Sequence, residues 1–296
     1  MSPPDFASVG LPRGTLFARG ELIGEGVGYV YKGIIRDMAT SIGDGVVTYE
    51  LQLGSEFIAL NPLIGSQITL TFEGEKRCVH CNRKSNKLFN SGSCWPCFQN
   101  LASNDMCQVK PHLCHYETCR EQAWGDAHCM IPTYVYLAKS SDIKVGITRN
   151  VPGRWMDQGA VEAVPIALVP TRKMAGELEL FLSQQMPDKT NWRKMLKGEI
   201  TEESLLETRE RVLAIIPEEF RGYLLSDEHV RTFAYPVTEV PEKIASHDIE
   251  KAPAEGKLLG IKGNYLILNT GVLNVSKFTG YSVSLKVEAA AEVAAG

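Results

Sequence analysis

The placement of the cysteines limits this chain more than any other feature. All eight lie between Cys78 and Cys129, and none lies elsewhere in the 296 residues. The first four read Cys78-x2-Cys81, then twelve residues, then Cys94-x2-Cys97. Two CxxC turns at that separation bring four thiolates around one tetrahedral ion, as in zinc ribbons and treble clefs. Four protein ligands close a site, so its role is structural rather than catalytic. Cys107, Cys114, Cys119 and Cys129 are less regularly spaced, but their number suits a second closed site. Four cysteines are the simplest ligand set there. A Cys3His set using His115 or His128 is the alternative, with His112 close by. Two structural zinc ions are the expected cofactors.

A chain of this length has room for two or three domains and an ample core, so metal is not needed for want of size. Apolar content of 44% and charged content of 22% are ordinary for a globular protein. No apolar run approaches the roughly 20 residues of a membrane span, and Met1-Ser2-Pro3-Pro4-Asp5 does not read as a signal peptide. A cytoplasmic location with no membrane partner is expected, and a reducing compartment favours metal over disulfides at paired CxxC turns. The net charge of −4 conceals an asymmetry. Residues 76–199 carry 17 Lys+Arg against 11 Asp+Glu, whereas the flanks carry 14 against 24. A mildly basic centre between acidic arms is compatible with a nucleic-acid site, and equally with a solvated surface.

Period-two alternation in Val47 to Leu53 and Gln67 to Phe72 marks residues 1–75 as a β-rich module. Gly24-x-Gly26-x-Gly28 lacks the Lys-Ser/Thr and the following helix of a phosphate loop, so it reads as hairpin turns. Residues 76–130 form the cysteine cassette, and 131–200 switch to an α/β pattern. Thr133 to Ala138 and Ile143 to Thr148 read as a hairpin joined by Lys139-Ser140-Ser141-Asp142. A short helix starts near Pro152, Val164 to Val169 reads as a strand, and Lys173 to Met186 reads as an amphipathic helix. Residues 201–235 form a helical extension with helices over Glu202 to Ile216 and Pro217 to Leu225, 236–255 a Pro-containing linker, 256–287 a C-terminal β segment, and 288–296 an Ala-rich tail.

The C-terminal β segment echoes the start of the chain. Ala18 to Gly24 resembles Ala254 to Gly260, and Gly65 to Leu70 resembles Gly280 to Leu285. The two ends are therefore expected to pair as one composite β-barrel or sandwich, the alternative being separate small β-modules. The fold class is α+β, with a zinc-ribbon-like cassette between the β-rich start and the α/β centre.

Inside the cassette, Arg83, Lys84 and Lys87 lie between the first two knuckles, with Trp95 and Phe98 at the second. Basic residues interleaved with aromatics can meet phosphates and stack on bases, or the aromatics can pack beside the metal.

From Tyr134 the chain resembles a divergent GIY-YIG nuclease. Tyr134-Val135-Tyr136 matches the first signature strand, and Lys144-Val145-Gly146, followed by Ile147-Thr148-Arg149, matches the second. Arg154, Glu179 and Asn191 fall where that superfamily carries its arginine, its metal-binding glutamate and its late asparagine. The resemblance implies Mg²⁺- or Mn²⁺-dependent phosphodiester cleavage. Glu179 would hold the ion, Arg154 the phosphate, and Tyr136 would orient or deprotonate the attacking water, with Arg149 contacting nucleic acid. Two positions depart from the pattern: Lys144 replaces the second signature tyrosine, and Gln158 stands where a histidine is common. On a helical wheel Glu177 and Glu179 border opposite edges of the apolar stripe, and only the family spacing favours Glu179. The whole chain also resembles a prokaryotic domain of unknown function that joins paired zinc-type cysteines to such a core, through Cys94-Trp95-Pro96-Cys97-Phe98, Trp124-Gly125, His128-Cys129, Arg154 to Ala160 and Asn191-Trp192. A nucleic-acid-binding protein, possessing or lacking nuclease activity, is the expected function. A zinc-stabilised scaffold for a protein partner is the alternative.

Overall fold

The computed structural model describes residues 21–22, 28–186, 191–226, 229–240 and 244–288. Gly24 and Gly26, and the tail beyond Glu288, lie outside these residues. The N-terminal strands are β1 (Glu21–Leu22), β2 (Gly28–Gly43), β3 (Val46–Leu53), β4 (Glu56–Ala59) and β5 (Gln67–Lys76). The cassette holds two short helices, α1 (Trp95–Asn100) and α2 (Gln122–His128). The central segment runs β6 (Thr133–Lys139), β7 (Ile143–Thr148), α3 (Gly153–Asp157), β8 (Glu162–Val169), α4 (Arg172–Ser183), α5 (Trp192–Lys197), α6 (Leu205–Ile215) and β9 (Arg231–Thr232). Four strands follow: β10 (Ala254–Lys262), β11 (Tyr265–Leu268), β12 (Gly271–Asn274) and β13 (Tyr281–Glu288).

The strands from both ends form one sheet, in the order β12-β11-β10-β5-β13-β2-β3-β4 with β1 on β2. Of the echoed segments, 65–70 and 280–285 are neighbours, Leu285 pairing with Leu70, while 18–24 lies outside the described residues except for Glu21 and Leu22. Alternation explains the buried face. Val47, Tyr49, Leu51 and Leu53 of β3 and Val283, Leu285 and Val287 of β13 point into one core, each such side chain contributing about 1.5–3 kcal/mol. The expected barrel does not close, because β4 and β12 remain unpaired with each other. The C-terminal strands interleave, β13 between β5 and β2 and β10 outside β5, instead of joining edge to edge. Tyr136, Trp155, Met156 and Phe233 from the central segment fill the sheet's apolar face.

The small sheet has the order β7-β6-β8-β9. Its β6 is buried on both faces. Val135 and Leu137 pack with Leu178 and Leu182 of α4 and with Leu205 and Val212 of α6, whereas Tyr136 and Ala138 join the core of the large sheet. The Thr171 hydroxyl caps α4 by accepting from Met174 N (3.3 Å). One expectation needs correcting. Residues 217–225 contain a 3-10 helix over Glu218–Tyr223, with Gly222 inside it, in place of an α-helix. The described part of the linker is pinned to the sheet, with Thr238 N donating to Leu259 O (2.8 Å) and His247 N to Val272 O (2.8 Å). Among the described residues, no helix is long and apolar enough to cross a membrane.

Candidate functional site: two cysteine clusters and a cationic cleft

The sulfurs of Cys78, Cys81, Cys94 and Cys97 lie within 4.8 Å of one another, and Cys81 and Cys94 are 3.6 Å apart. A tetrahedral zinc with Zn–S bonds of about 2.3 Å requires S–S separations of about 3.8 Å, so this group can hold one zinc ion. Local backbone builds it. Asn82 adopts a positive φ of 57° in the first knuckle, closing it as Asn82 N donates to Cys78 O (2.9 Å). Cys94 precedes the first turn of α1, and Phe98 N donates to its carbonyl (2.8 Å). Burial opposes ionisation of Cys78, but the N–H groups of Cys94, Cys81 and His80 outweigh it and hold the thiol below its usual range. Trp95 and Phe98 stack on each other and on Phe89, although Trp95 keeps half its surface exposed.

Cys107, Cys114, Cys119 and Cys129 line a separate cavity of about 120 Å³. They do not converge as tightly as the first four, the one thiol group among the described residues to reach mutual ligand spacing. Burial pushes Cys107 up to about 11. His115 also lines the cavity. His128 is engaged elsewhere, its Nδ1 bonded to the Trp124 carbonyl (2.8 Å) and its ring stacked on Trp124 at 4.2 Å.

Beside this cluster lies a cleft of about 610 Å³, lined by Tyr136, Lys144, Arg149, Arg154, Arg172 and Glu179 among others. Strand pairing explains part of the convergence: Tyr136 sits opposite Gly146, and Lys144 opposite Ala138, so alternation places Lys144 on the Tyr136 face. Glycine is required at 146, where a Cβ would fall 2.6 Å from the Tyr136 hydroxyl. The phenol donates to Gln158 Oε1 (3.0 Å). Burial pushes Tyr136 up to about 12, with Arg154 acting against the rise and Glu179 adding to it. Lys144 moves the other way, down to about 8, through burial and Arg154, partly offset by Glu179. Glu177 pairs with Lys173 at 3.7 Å on the exposed side of α4, while Glu179 lines the cleft. Of the two glutamates, Glu179 is therefore the one that faces the cleft. Four cations and one carboxylate give this concavity an excess of positive charge.

The other expected site residues lie elsewhere. Asn191 caps α5, its Oδ1 accepting from Arg193 N (3.1 Å) and Lys194 N (3.3 Å), and does not line the cleft. Lys84 pairs with Glu75 (3.1 Å), Lys87 lies over Phe89, and neither they nor Arg83 reach the cleft. Sequence reasoning missed Arg172 and Gln108. One signal was available: Arg172 and Lys173 sit in the first turn of α4, against the helix dipole, which points to an anion or another contact there.

The cassette packs directly on the Glu179 helix. A Cβ at Gly176 would lie 2.5 Å from Pro111 Cβ and 2.8 Å from His112 N. In an isolated helix Gly-to-Ala gains about 1 kcal/mol, but overpacking costs roughly 1–3 kcal/mol. Gly176→Ala is therefore expected to lower the urea midpoint of unfolding; a raised midpoint would show that α4 and the cassette are loosely joined.

Residues 65–283 match the family model described as Protein of unknown function (DUF2797). The chain belongs to this family. The DUF2797 match runs from just before β5 into β13 and contains all eight cysteines and every cleft residue named above. No curated protein and no solved structure matches the chain.

Proposed function

We propose that the cleft binds the phosphodiester backbone of nucleic acid and cleaves it in the manner of a divergent GIY-YIG nuclease. The observation that carries this reading is the meeting of four cations, a buried phenol and one carboxylate in a single concavity. Arg154 would bind a phosphate through two parallel hydrogen bonds and offset charge that grows in the transition state. Glu179 would hold a Mg²⁺ or Mn²⁺ ion, with the remaining positions left to water and substrate oxygens, as suits a single carboxylate. The ion, when bound, supplies positive charge at the phosphoryl and leaving oxygens. A phenol near 12 stays protonated at neutral pH, which favours an orienting role for Tyr136 over proton abstraction. Lys144, near 8, exchanges its proton close to neutrality and is the better acceptor for the proton of the attacking water. Arg149 and Arg172 extend the cationic wall along the backbone. The reading includes two structural zinc ions, one in each cysteine cluster, and a reducing cytoplasmic setting that keeps thiolates available for metal.

A second reading, a binding module without cleavage, is favoured by the excess of cations over carboxylates in the cleft. Cleavage of labelled single- and double-stranded DNA and RNA with Mg²⁺ or Mn²⁺ separates the two. Cleavage by the wild type is expected to fall about 10²- to 10³-fold in Arg154→Ala and Glu179→Ala. Salt-sensitive binding without cleavage selects the binding module, and absence of binding at low salt rejects both.

A further inference from the structure

The second cysteine cluster and the cleft share a wall, and Gln108 lines both. Its side-chain amide donates to Cys129 Sγ (3.5 Å) and to Cys107 Sγ (3.9 Å). Its main-chain carbonyl accepts from Arg172 Nη2 (2.7 Å). The Cys129 carbonyl accepts the Arg172 N–H (2.8 Å), one of the first-turn donors of α4 that have no partner within the helix. One residue earlier, the His128 carbonyl accepts from Arg149. Pro111, from the turn between Cys107 and Cys114, closes on Gly176 of α4. Two of the cleft's four cations are thus held by carbonyls that belong to, or adjoin, residues of the cysteine cluster.

We infer that a zinc ion bound by Cys107, Cys114, Cys119 and Cys129 is the brace of this cationic wall, holding the carbonyls of Gln108, His128 and Cys129 where they aim Arg149 and Arg172 into the cleft. The inference rests on reading the cleft as an anion site and the cluster as a zinc site. An arginine has many rotamers, and a carbonyl contact narrows them only where the carbonyl itself is held. The segment that supplies these carbonyls contributes no residue to any of the three apolar clusters of the described residues. Beyond the packing of Pro111 on Gly176, what orders it is polar or metallic, and four thiols around a small cavity are soft ligands suited to zinc. Gln108 completes the connection, since N–H donors to ligating sulfur orient a metal's first ligands. A site closed by four thiolates has no open position for chemistry, so its influence on the cleft is positional.

The test compares full-length wild type with the double variant Cys114→Ser/Cys119→Ser. It measures zinc per chain, amide hydrogen exchange, and anisotropy of a fluorescein-labelled oligo(dT). The wild type should hold two zinc ions and the variant one. Exchange at Arg172 to Glu179 should quicken at least about tenfold in the variant while β13 stays protected. The slope of log affinity against log salt should fall by about 1.4, at about 0.7 per phosphate on a single strand, as two phosphate contacts are lost. Zinc loss with unchanged α4 exchange overturns the inference, as does a wild type with a single zinc. Should β13 also lose protection in the variant, chelator titration of the wild type decides: opening of α4 before β13 supports the brace, and simultaneous opening refutes it. A wild type that fails to bind oligonucleotide sinks the cleft reading alone, because zinc content and exchange judge the brace without nucleic acid.

Discussion

Replacing Cys94 with serine is expected to remove one zinc ion and melt the first half of the cassette, while the large sheet stays folded. Cys78 and Cys94 are almost fully buried, yet no residue between Cys78 and Cys129 enters the three apolar clusters of the described residues. A zinc ion held by the four thiols would in effect be the core of this segment. Four-thiolate zinc binding is worth about 10–16 kcal/mol in model peptides, against about 5–15 kcal/mol for the net stability of a domain. No local packing makes up such a loss. The sheet is different, because Ile35, Leu51, Leu70 and Leu285 lie in a core that owes nothing to the sulfurs. The two are joined by Arg77 N donating to Gly280 O (2.7 Å) and by Arg36 Nη1 donating to Val79 O (3.4 Å) and Nη2 to Asn82 Oδ1 (3.2 Å), and Gly280 adopts a positive φ of 90° where a Cβ would strike the Arg77 carbonyl. Hydrogen exchange with elemental analysis should show fast exchange from Cys78 to Asn104 and slow exchange in β3 and β13. A zinc-depleted variant that keeps the cassette protected would refute the role given to the metal.

The second large effect concerns Lys144, where stability and binding should move in opposite directions. Its ammonium is held near 8, below the unperturbed value of about 10.4. Between those values the unfolded chain holds a proton that the folded chain gives up, so stability rises with pH across the interval. Below pH 8 the cost of the buried charge is fully present, on the order of 3 kcal/mol at about 1.4 kcal/mol per pKa unit. Lys144→Met should therefore raise the unfolding free energy at pH 7 by about 1–3 kcal/mol, with the gain shrinking towards pH 10. The same change should weaken oligonucleotide binding about 10- to 100-fold, since a charge-assisted contact is lost. For the wild type, affinity should decline as pH rises through about 8. A single-turnover cleavage rate that climbs over the same interval identifies Lys144 as the proton acceptor, and a flat rate leaves it a phosphate contact. A variant that is less stable and binds equally well would make Lys144 a structural residue.

Such a residue reflects how the site is built. Lys144 is legible as a departure from a tyrosine pattern, but its cost follows from the burial imposed by β6, β7 and Arg154. Arg154 and Glu179 are likewise legible by order along the chain. Asn191 is not, since Asx capping of a helix and a contact at a distant site share one residue type and one position. The basic loop from Arg83 to Lys87 lies apart from the cleft, with Lys84 paired to Glu75 and Lys87 over Phe89.

Features set by neighbours along the chain are determined by the sequence alone. The two CxxC knuckles depend on a few residues each, the β6–β7 hairpin on its four-residue connection, and α4 on a 3.6-residue period with Thr171 before it. Tertiary structure alone decided what depends on which surfaces meet. Strand β6 reads as a plain apolar run, and only packing shows that Val135 and Leu137 face one core and Tyr136 and Ala138 another. Glu177 and Glu179 are equivalent on a helical wheel until the cassette and β7 settle against one side of α4. Arg172 reaches the cleft through carbonyls 43 and 64 residues away in sequence, at Cys129 and Gln108. Contacts that distant leave no periodicity to read, because the entropy of closing the loop is met only when the whole interface forms.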